Sequence, residues 1–173
     1  MRKMIPFVAV MAALAWAALA AVPAAAGGNS STPCSIGPQP STCTYTQNAH
    51  AVTQAFPANV PCIDPVNGPP TGMLTFTFNG VFHETVNRAG DGWFTSTQTG
   101  TISFAPFDPA RPSYSGRTET WFGESFNQNN LVLHDTFNGH AAGSDGSTLS
   151  FHIVDHYSIS ASGITHTFDK VVC

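Results

Sequence analysis

Two aspartates occur where the surrounding pattern calls for apolar residues. Asp135 and Asp155 each interrupt a run in which every second residue is apolar, a pattern typical of a β-strand with one buried face. A buried carboxylate is costly unless it is paired or hydrogen-bonded, and a neighbouring acid raises its proton affinity. Two such acids could handle protons as general acid and base, or anchor the polar group of a ligand in an apolar cavity.

The segment 130–160, which carries both aspartates, predicts a β-hairpin. Its two alternating runs flank the sequence Gly-Ser-Asp-Gly at 143–146, which is typical of a turn. Apolar faces can pair only in registers of one parity, because a slip of one residue flips a strand. A turn centred on Asp145 places Asp135 opposite Asp155. The same register places Phe137 opposite Ile153, and His134 opposite His156 on the other face.

Other acids and aromatic residues share the apolar register of neighbouring runs, and we interpret the set as a ligand-binding wall. The alternative is that the acids lie near the strand ends, where they are solvated or paired with arginine or tyrosine side chains. The aromatic residues would then be ordinary core. The predicted ligand-binding residues are Asp135, Asp155, Glu84, Glu124, Phe82, Phe122, Phe137, Phe151 and Tyr157.

Four histidines lie on the opposite face of the hairpin: His134, His140, His152 and His156. His134 and His156 could ligate zinc or copper across the strands, but imidazoles on an outer wall more often face solvent, so neither a metal nor a cofactor is predicted. Signatures of the common hydrolases, nucleotide-binding loops and zinc proteases are absent from the sequence.

The remaining chain reads as a series of strands separated by turn signals. No helical period follows the first 26 residues, and strand follows strand through tight turns, which favours an up-and-down barrel over a sandwich. At Asn79-Gly80, one long bent strand is favoured over a hairpin. The sequence therefore predicts an all-β fold: an antiparallel up-and-down β-barrel of six to eight strands with an N-terminal coil arm. The predicted strands outside the hairpin are 50–56, 73–87, 93–105, 114–127 and 164–173.

The N-terminus predicts secretion. Arg2 and Lys3 precede an apolar run, and small residues at Ala24 and Ala26 predict a signal peptide over 1–26; a retained membrane anchor is the alternative. Residues 27–47 are predicted to form a flexible Ser/Thr/Pro-rich arm and 48–173 the β-barrel domain. No later segment is apolar enough to span a membrane.

Charge and cysteines limit the partners and the compartment. Removing the signal peptide would change the net charge from −4 to about −6, so neither nucleic acid nor an anionic membrane surface is an expected partner. The chain has four cysteines, an even number that fits disulfides outside the cytoplasm. Three pairings are open. We favour Cys34 with Cys43 and Cys62 with Cys173 over a metal site, because no Cys-x-x-Cys spacing occurs.

Several short motifs carry a resemblance to a known group. They are Phe78-Asn79-Gly80-Val81-Phe82-His83, Trp121-Phe122-Gly123 and His134-Asp135-Thr136-Phe137-Asn138, with Gly143–Ser147 and Phe151-His152. Over residues 52–173 the chain resembles a group of small secreted β-barrel proteins from actinobacteria, from which no activity can be transferred. In outline it is also similar to lipocalin-like and allene oxide cyclase/dirigent-like barrels, a likeness of architecture that implies no catalytic residues.

Three hypotheses about function follow. The first is a secreted barrel that binds a small, largely apolar ligand, with the two aspartates as polar contacts. The second is an enzyme of the cyclase or isomerase type, in which the aspartates move protons. The third is a structural or adhesive surface module with a solid core. A cavity beside Asp135 would favour either of the first two over the third.

Overall fold

The structure is a computed structural model that describes residues 33–34, 41–65 and 68–173. The predicted signal peptide and most of the predicted arm lie outside these residues. The described chain contains strands and turns but no helix, and the all-β prediction is confirmed. The strands are β1 (Cys43–Ala58), β2 (Gly72–Val86), β3 (Gly92–Pro106), β4 (Tyr114–Phe126), β5 (Leu131–Gly143), β6 (Thr148–Ile159) and β7 (Thr165–Val172).

The seven strands form one antiparallel sheet in chain order, from β1 at one edge to β7 at the other. The predicted up-and-down order and strand number are therefore confirmed. Strand pairing does not close the sheet, however, because within the described residues no ladder joins β7 to β1. β7 has only eight residues, and all of them are exposed. Closure into a barrel is thus not reached by hydrogen bonding.

The sheet curls although its edges do not pair. Phe76 on β2 and Phe137 on β5 have ring centroids 6.4 Å apart, although β3 and β4 lie between their strands. Three strand spacings in a flat sheet would place the two backbones about 14 Å apart. Their side chains meet because the apolar face is concave. The buried hydrophobic residues form one cluster on this inner face.

β1 begins earlier than predicted. It also contains a β-bulge, whereas the sequence indicated a bend at Asn79-Gly80 in β2. β1 pairs with β2 from Cys43 onward, so residues 43–47 belong to the sheet and not to the arm. The register shifts between Ala49 and Val52, where Ala51 adopts a φ of 51°. The Oδ1 atom of Asn79 accepts a hydrogen bond from the Ala51 N–H at 3.0 Å. β2 therefore passes unbroken through Asn79, as favoured, and the bulge lies in its partner.

Both predicted disulfides are confirmed. Cys34 and Cys43 have Cα atoms 5.8 Å apart and enclose a short segment. Cys62 and Cys173 have Cα atoms 5.7 Å apart across a sequence separation of 111 residues. The second bridge joins the loop after β1 to the end of β7, so it holds together the two edges that no ladder connects. None of the described segments forms an apolar helix of membrane-spanning length.

The loop between β1 and β2 is anchored by one carboxylate. Asp64 accepts hydrogen bonds from the Val60 N–H at 2.8 Å and the Thr71 hydroxyl at 2.5 Å, and Arg111 forms an ion pair with it at 2.6 Å. Burial alone would raise the pKa of Asp64, but these hydrogen bonds and the arginine charge together lower it. The loop after β1 and the loop after β3 are thereby held at the same end of the sheet.

Candidate functional site

The central hairpin has the predicted register. Asp135 lies opposite Asp155, Phe137 opposite Ile153 and His134 opposite His156. The turn closes through a hydrogen bond from the Gly143 N–H to the Ser147 carbonyl at 2.8 Å. The two carboxyls therefore lie side by side on the inner face of the curled sheet.

Both aspartates are buried, and this excludes the alternative of solvated acids at strand ends. The exposed fractions are 6% for Asp135 and 2% for Asp155. The Oδ2 atom of Asp155 is buried without a hydrogen-bond partner. Among the described residues the single ion pair is the one between Arg111 and Asp64, so no cation compensates either aspartate. Such a pair is unfavourable when both members are ionised.

The surroundings push the proton affinity of both carboxyls upward. Burial, followed by the charges of Asp155 and Asp169, raises the pKa of Asp135 to about 7. Burial, followed by the charge of Asp169, raises the pKa of Asp155 to about 6. At neutral pH the pair therefore retains a substantial share of its protons.

Asp169 extends the pair into a row that crosses three strands. It lies on β7 directly opposite Asp155, which in turn lies opposite Asp135 on β5. Asp169 is exposed while the other two are buried. We call Asp135, Asp155 and Asp169 the carboxylate row. It runs from the open edge of the sheet to the interior.

A cavity of about 210 Å³ lies inside the curl, and the Asp135 side chain forms part of its wall. Its polar lining residues are Asn59, Gln98, Tyr114, Thr120 and Asp135. The apolar lining residues are Phe56, Pro57, Ala58, Val60, Pro61, Pro70, Leu74, Phe76, Ile102, Phe104, Phe122, Phe137, Leu149, Phe151 and Ile153.

The nine predicted site residues divide between this cavity and its surroundings. Those that line the cavity are Asp135, Phe122, Phe137 and Phe151. Asp155 is buried beside Asp135, and Phe82 is core, with its ring centroid 6.2 Å from that of Phe94.

The other three predicted residues lie one inward-facing row beyond Asp135 and Asp155, on the side away from the turn between β5 and β6. Glu84, Glu124 and Tyr157 occupy connected register positions there and do not line the cavity. The Oε2 atom of Glu84 accepts a hydrogen bond from the Cys34 N–H at 3.2 Å. Burial, followed by the charge of Glu84, raises the pKa of Glu124. These two acids thus lie on the inner face but outside the cavity wall.

Sequence reasoning missed part of the cavity wall. Gln98 and Thr120 share the inward parity of their strands, so the alternation of β3 and β4 could have identified both. The Oγ1 atom of Thr120 is buried without a hydrogen-bond partner. The wall formed by residues 56–61 and Pro70 had no such signal, because its prolines indicated only an interruption of regular structure.

The outer face of the hairpin carries an aromatic group. The ring centroid of His134 lies 5.9 Å from that of His156 and 5.6 Å from that of Trp121. In the part of the chain that the structure describes, no group of three or more His, Cys, Asp or Glu side chains could hold a metal ion.

The fold and the site define an all-β protein with one curled antiparallel sheet around an apolar cavity, into which one aspartate projects. Comparisons of the chain with protein-family models, curated proteins and solved structures find no match. The resemblance to the actinobacterial group and to lipocalin-like or dirigent-like barrels therefore stays a prediction.

Proposed function

We propose that this protein is secreted and binds a small, largely apolar molecule inside the curled sheet, with Asp135 and Asp155 as its polar contacts. The sheet would act as an incompletely closed barrel, comparable in architecture to lipocalin-like proteins. In this proposal the Cys62–Cys173 bridge takes the place of a ladder between the two edges.

One observation carries the proposal: a cavity of about 210 Å³ has an almost wholly apolar lining that includes a buried carboxyl. Ligand sites are typically apolar with a few polar groups that fix orientation. A solid core would leave no such volume, because protein interiors are close-packed. The cavity therefore favours ligand binding over a purely structural or adhesive module.

Secretion is supported by the disulfides. Both bridges form from all four cysteines of the chain, and such bridges persist in oxidising compartments outside the cytoplasm.

The second candidate function is an enzyme of the cyclase or isomerase type on the same site. The observation in its favour is the pKa of Asp135, which burial and the neighbouring acids raise to about 7. A carboxyl with such a pKa can both donate and accept a proton at neutral pH. The ligand of the first proposal would then be a substrate.

Binding can be tested with 1-octanol, an apolar probe with one hydroxyl. In a methyl-labelled sample, NMR signals of Leu149 and Ile153, which line the cavity, should shift on titration, while the outward-facing Val81 should not. Leu149→Trp places an indole in the cavity and should weaken octanol binding by about tenfold or more, because the volume is occupied.

Val81→Trp is the matched control, since it adds the same side chain to the exposed outer face, and it should leave octanol binding unchanged. Equal weakening by both variants, or the absence of any shift at Leu149 and Ile153 at saturating octanol, would contradict the proposed function.

A further inference from the structure

We propose that the polar group of the ligand is a cation, so that the cavity selects small apolar amines whose ammonium group contacts Asp135, the member of the Asp135–Asp155 pair that lines the cavity. This inference rests on the proposed function and narrows it to a chemical class. It depends on how charge is distributed over the two faces of the sheet and on acceptor atoms in the interior that have no donor.

The inner face carries acids and no bases. Half of the ten acidic residues of the chain lie on this face. Within the described residues, Arg88 and Arg117 are exposed away from it, Arg111 pairs with Asp64 in the loop, and Lys170 faces outward on β7. The seven histidines lie on the outer face or, in the case of His50, at the β1 bulge. The five inner acids are Glu84, Glu124, Asp135, Asp155 and Asp169.

The interior also has acceptors that lack donors. The Oδ2 atom of Asp155, a side chain only 2% exposed, is buried without a partner. The Oγ1 atom of Thr120 is in the same state, and its side chain lines the cavity together with Asp135. An alkylammonium group has three donors and no acceptor, as the lysine head group does. It can therefore donate to the Asp135 carboxylate, to the Thr120 hydroxyl oxygen and to the unpartnered Oδ1 atom of Asn59, all of which belong to residues that line the cavity, whereas a ligand carboxylate would add a further negative charge.

The carboxylate row provides a route for a cation from solvent to this site. Asp169 is exposed on the edge strand, Asp155 lies next to it, and Asp135 reaches the cavity. Charges of one sign along an apolar wall raise the local concentration of the opposite charge. Above about pH 7, where Asp135 and Asp155 are ionised, an ammonium group moving inward would have an opposite charge beside it at each strand.

Cation binding should depend on pH, because an ammonium interacts best with the ionised pair. Within the described residues the titratable groups on the inner face are acids and tyrosines, so no base of the protein competes with the ligand for Asp135. As the pH falls below about 7, Asp135 takes up a proton, and the affinity for amines should fall with it. Apart from Asp135 itself, these inner-face groups are Tyr45 on β1, Glu84 on β2, Tyr114 and Glu124 on β4, Asp155 and Tyr157 on β6 and Asp169 on β7.

Three probes with the same chain and different head groups test the inference: octylammonium, 1-octanol and octanoate. At pH 8, calorimetric or NMR titration should show octylammonium binding at least about tenfold more tightly than 1-octanol, as expected for a charge-assisted hydrogen bond. Octanoate should bind most weakly. At pH 5 the advantage of the amine over the alcohol should disappear.

Variants connect this selectivity to the pair. Asp135→Asn keeps the shape and removes one charge, so it should abolish the preference for octylammonium while 1-octanol still binds. Asp155→Asn should reduce the same preference and serves as the second variant if the first folds poorly. Glu119→Gln, which removes an acid from the exposed outer face of β4, is the matched control and should retain the full preference.

The outcomes separate this inference from the proposed function. If 1-octanol binds in the cavity but octylammonium binds no more tightly, the cation inference is wrong and the apolar-ligand proposal stands. The inference also fails if Glu119→Gln loses the preference as fully as Asp135→Asn does, because binding would then follow net charge. If none of the three probes binds, both proposals fail.

Discussion

Raising the pH from 4 to 8 should lower the free energy of unfolding of the ligand-free protein by on the order of 3 kcal/mol, because buried aspartates must ionise. The pKa of Asp135 is raised to about 7 and that of Asp155 to about 6, against an ordinary value of 3.8. One pKa unit corresponds to about 1.4 kcal/mol. Since the two acids interact, their effects are not summed separately.

The direction follows from which state loses its proton first. Well below the ordinary value of 3.8 both states are protonated, and the carboxyls carry no penalty. Between pH 4 and 7 the unfolded chain ionises while the folded chain retains its protons, so rising pH favours unfolding. Glu124, whose pKa is also raised, acts in the same direction. Asp64, whose pKa is lowered, contributes stability that is lost only as the pH falls below its ordinary value of 3.8.

Urea unfolding at pH 4, 6 and 8 measures this dependence. Asp135→Asn should flatten it and make the protein more stable than the wild type at pH 8, because no charge is then forced into the interior. Glu119→Gln on the exposed outer face should keep the wild-type slope. A free energy of unfolding that is constant or increases from pH 4 to 8 would show that ionising the buried pair does not destabilise the folded state.

Removing the Cys62–Cys173 bridge should cost on the order of 4 kcal/mol, because it restricts the unfolded chain over a separation of 111 residues. It is also the one covalent connection between the loop after β1 and the end of β7. The double variant Cys62→Ser/Cys173→Ser should therefore unfold at a much lower urea concentration. In this variant β7, which is exposed throughout and pairs with β6 alone, should lose amide protection first.

The other bridge is the natural comparison. Cys34 and Cys43 are separated by nine residues, and chain-entropy arguments make such a short loop worth roughly 2 kcal/mol less than the long one. Equal losses for the two double-serine variants would mean that loop length does not determine the contribution of the long bridge.

The hairpin was predictable because two independent signals agree there. Alternation assigns the faces, and the Gly-Ser-Asp-Gly turn sets the register, so the sequence alone is enough to pair Asp135 with Asp155. The inward position of Asp169 did not follow from alternation, because Ile164, Phe168 and Val172 occupy the other register of β7; it depends on the pairing of β7 with β6.

Other features depend on long-range contacts that the sequence pattern does not contain. The first half of β1 is rich in Thr, Gln and Asn and has weak alternation, and it forms a strand because β2 supplies its ladder. The cavity wall at 56–61 is positioned by Asp64 and Arg111, which are distant in sequence. The curvature of the sheet decides whether inward residues enclose a cavity. It brings Phe76 against Phe137 across two intervening strands, and no local sequence pattern indicates it.

The most direct test of the central claim, that a pair of aspartates is buried in an apolar interior, is a carbon-13 NMR titration of the aspartate carboxyls. Selective labelling with assignment through Asp135→Asn and Asp155→Asn identifies the two signals. The structure predicts that they titrate at about 7 and about 6, well above the exposed aspartates. If both instead titrate near the ordinary value of 3.8, the carboxyls are solvated and the proposed site is wrong.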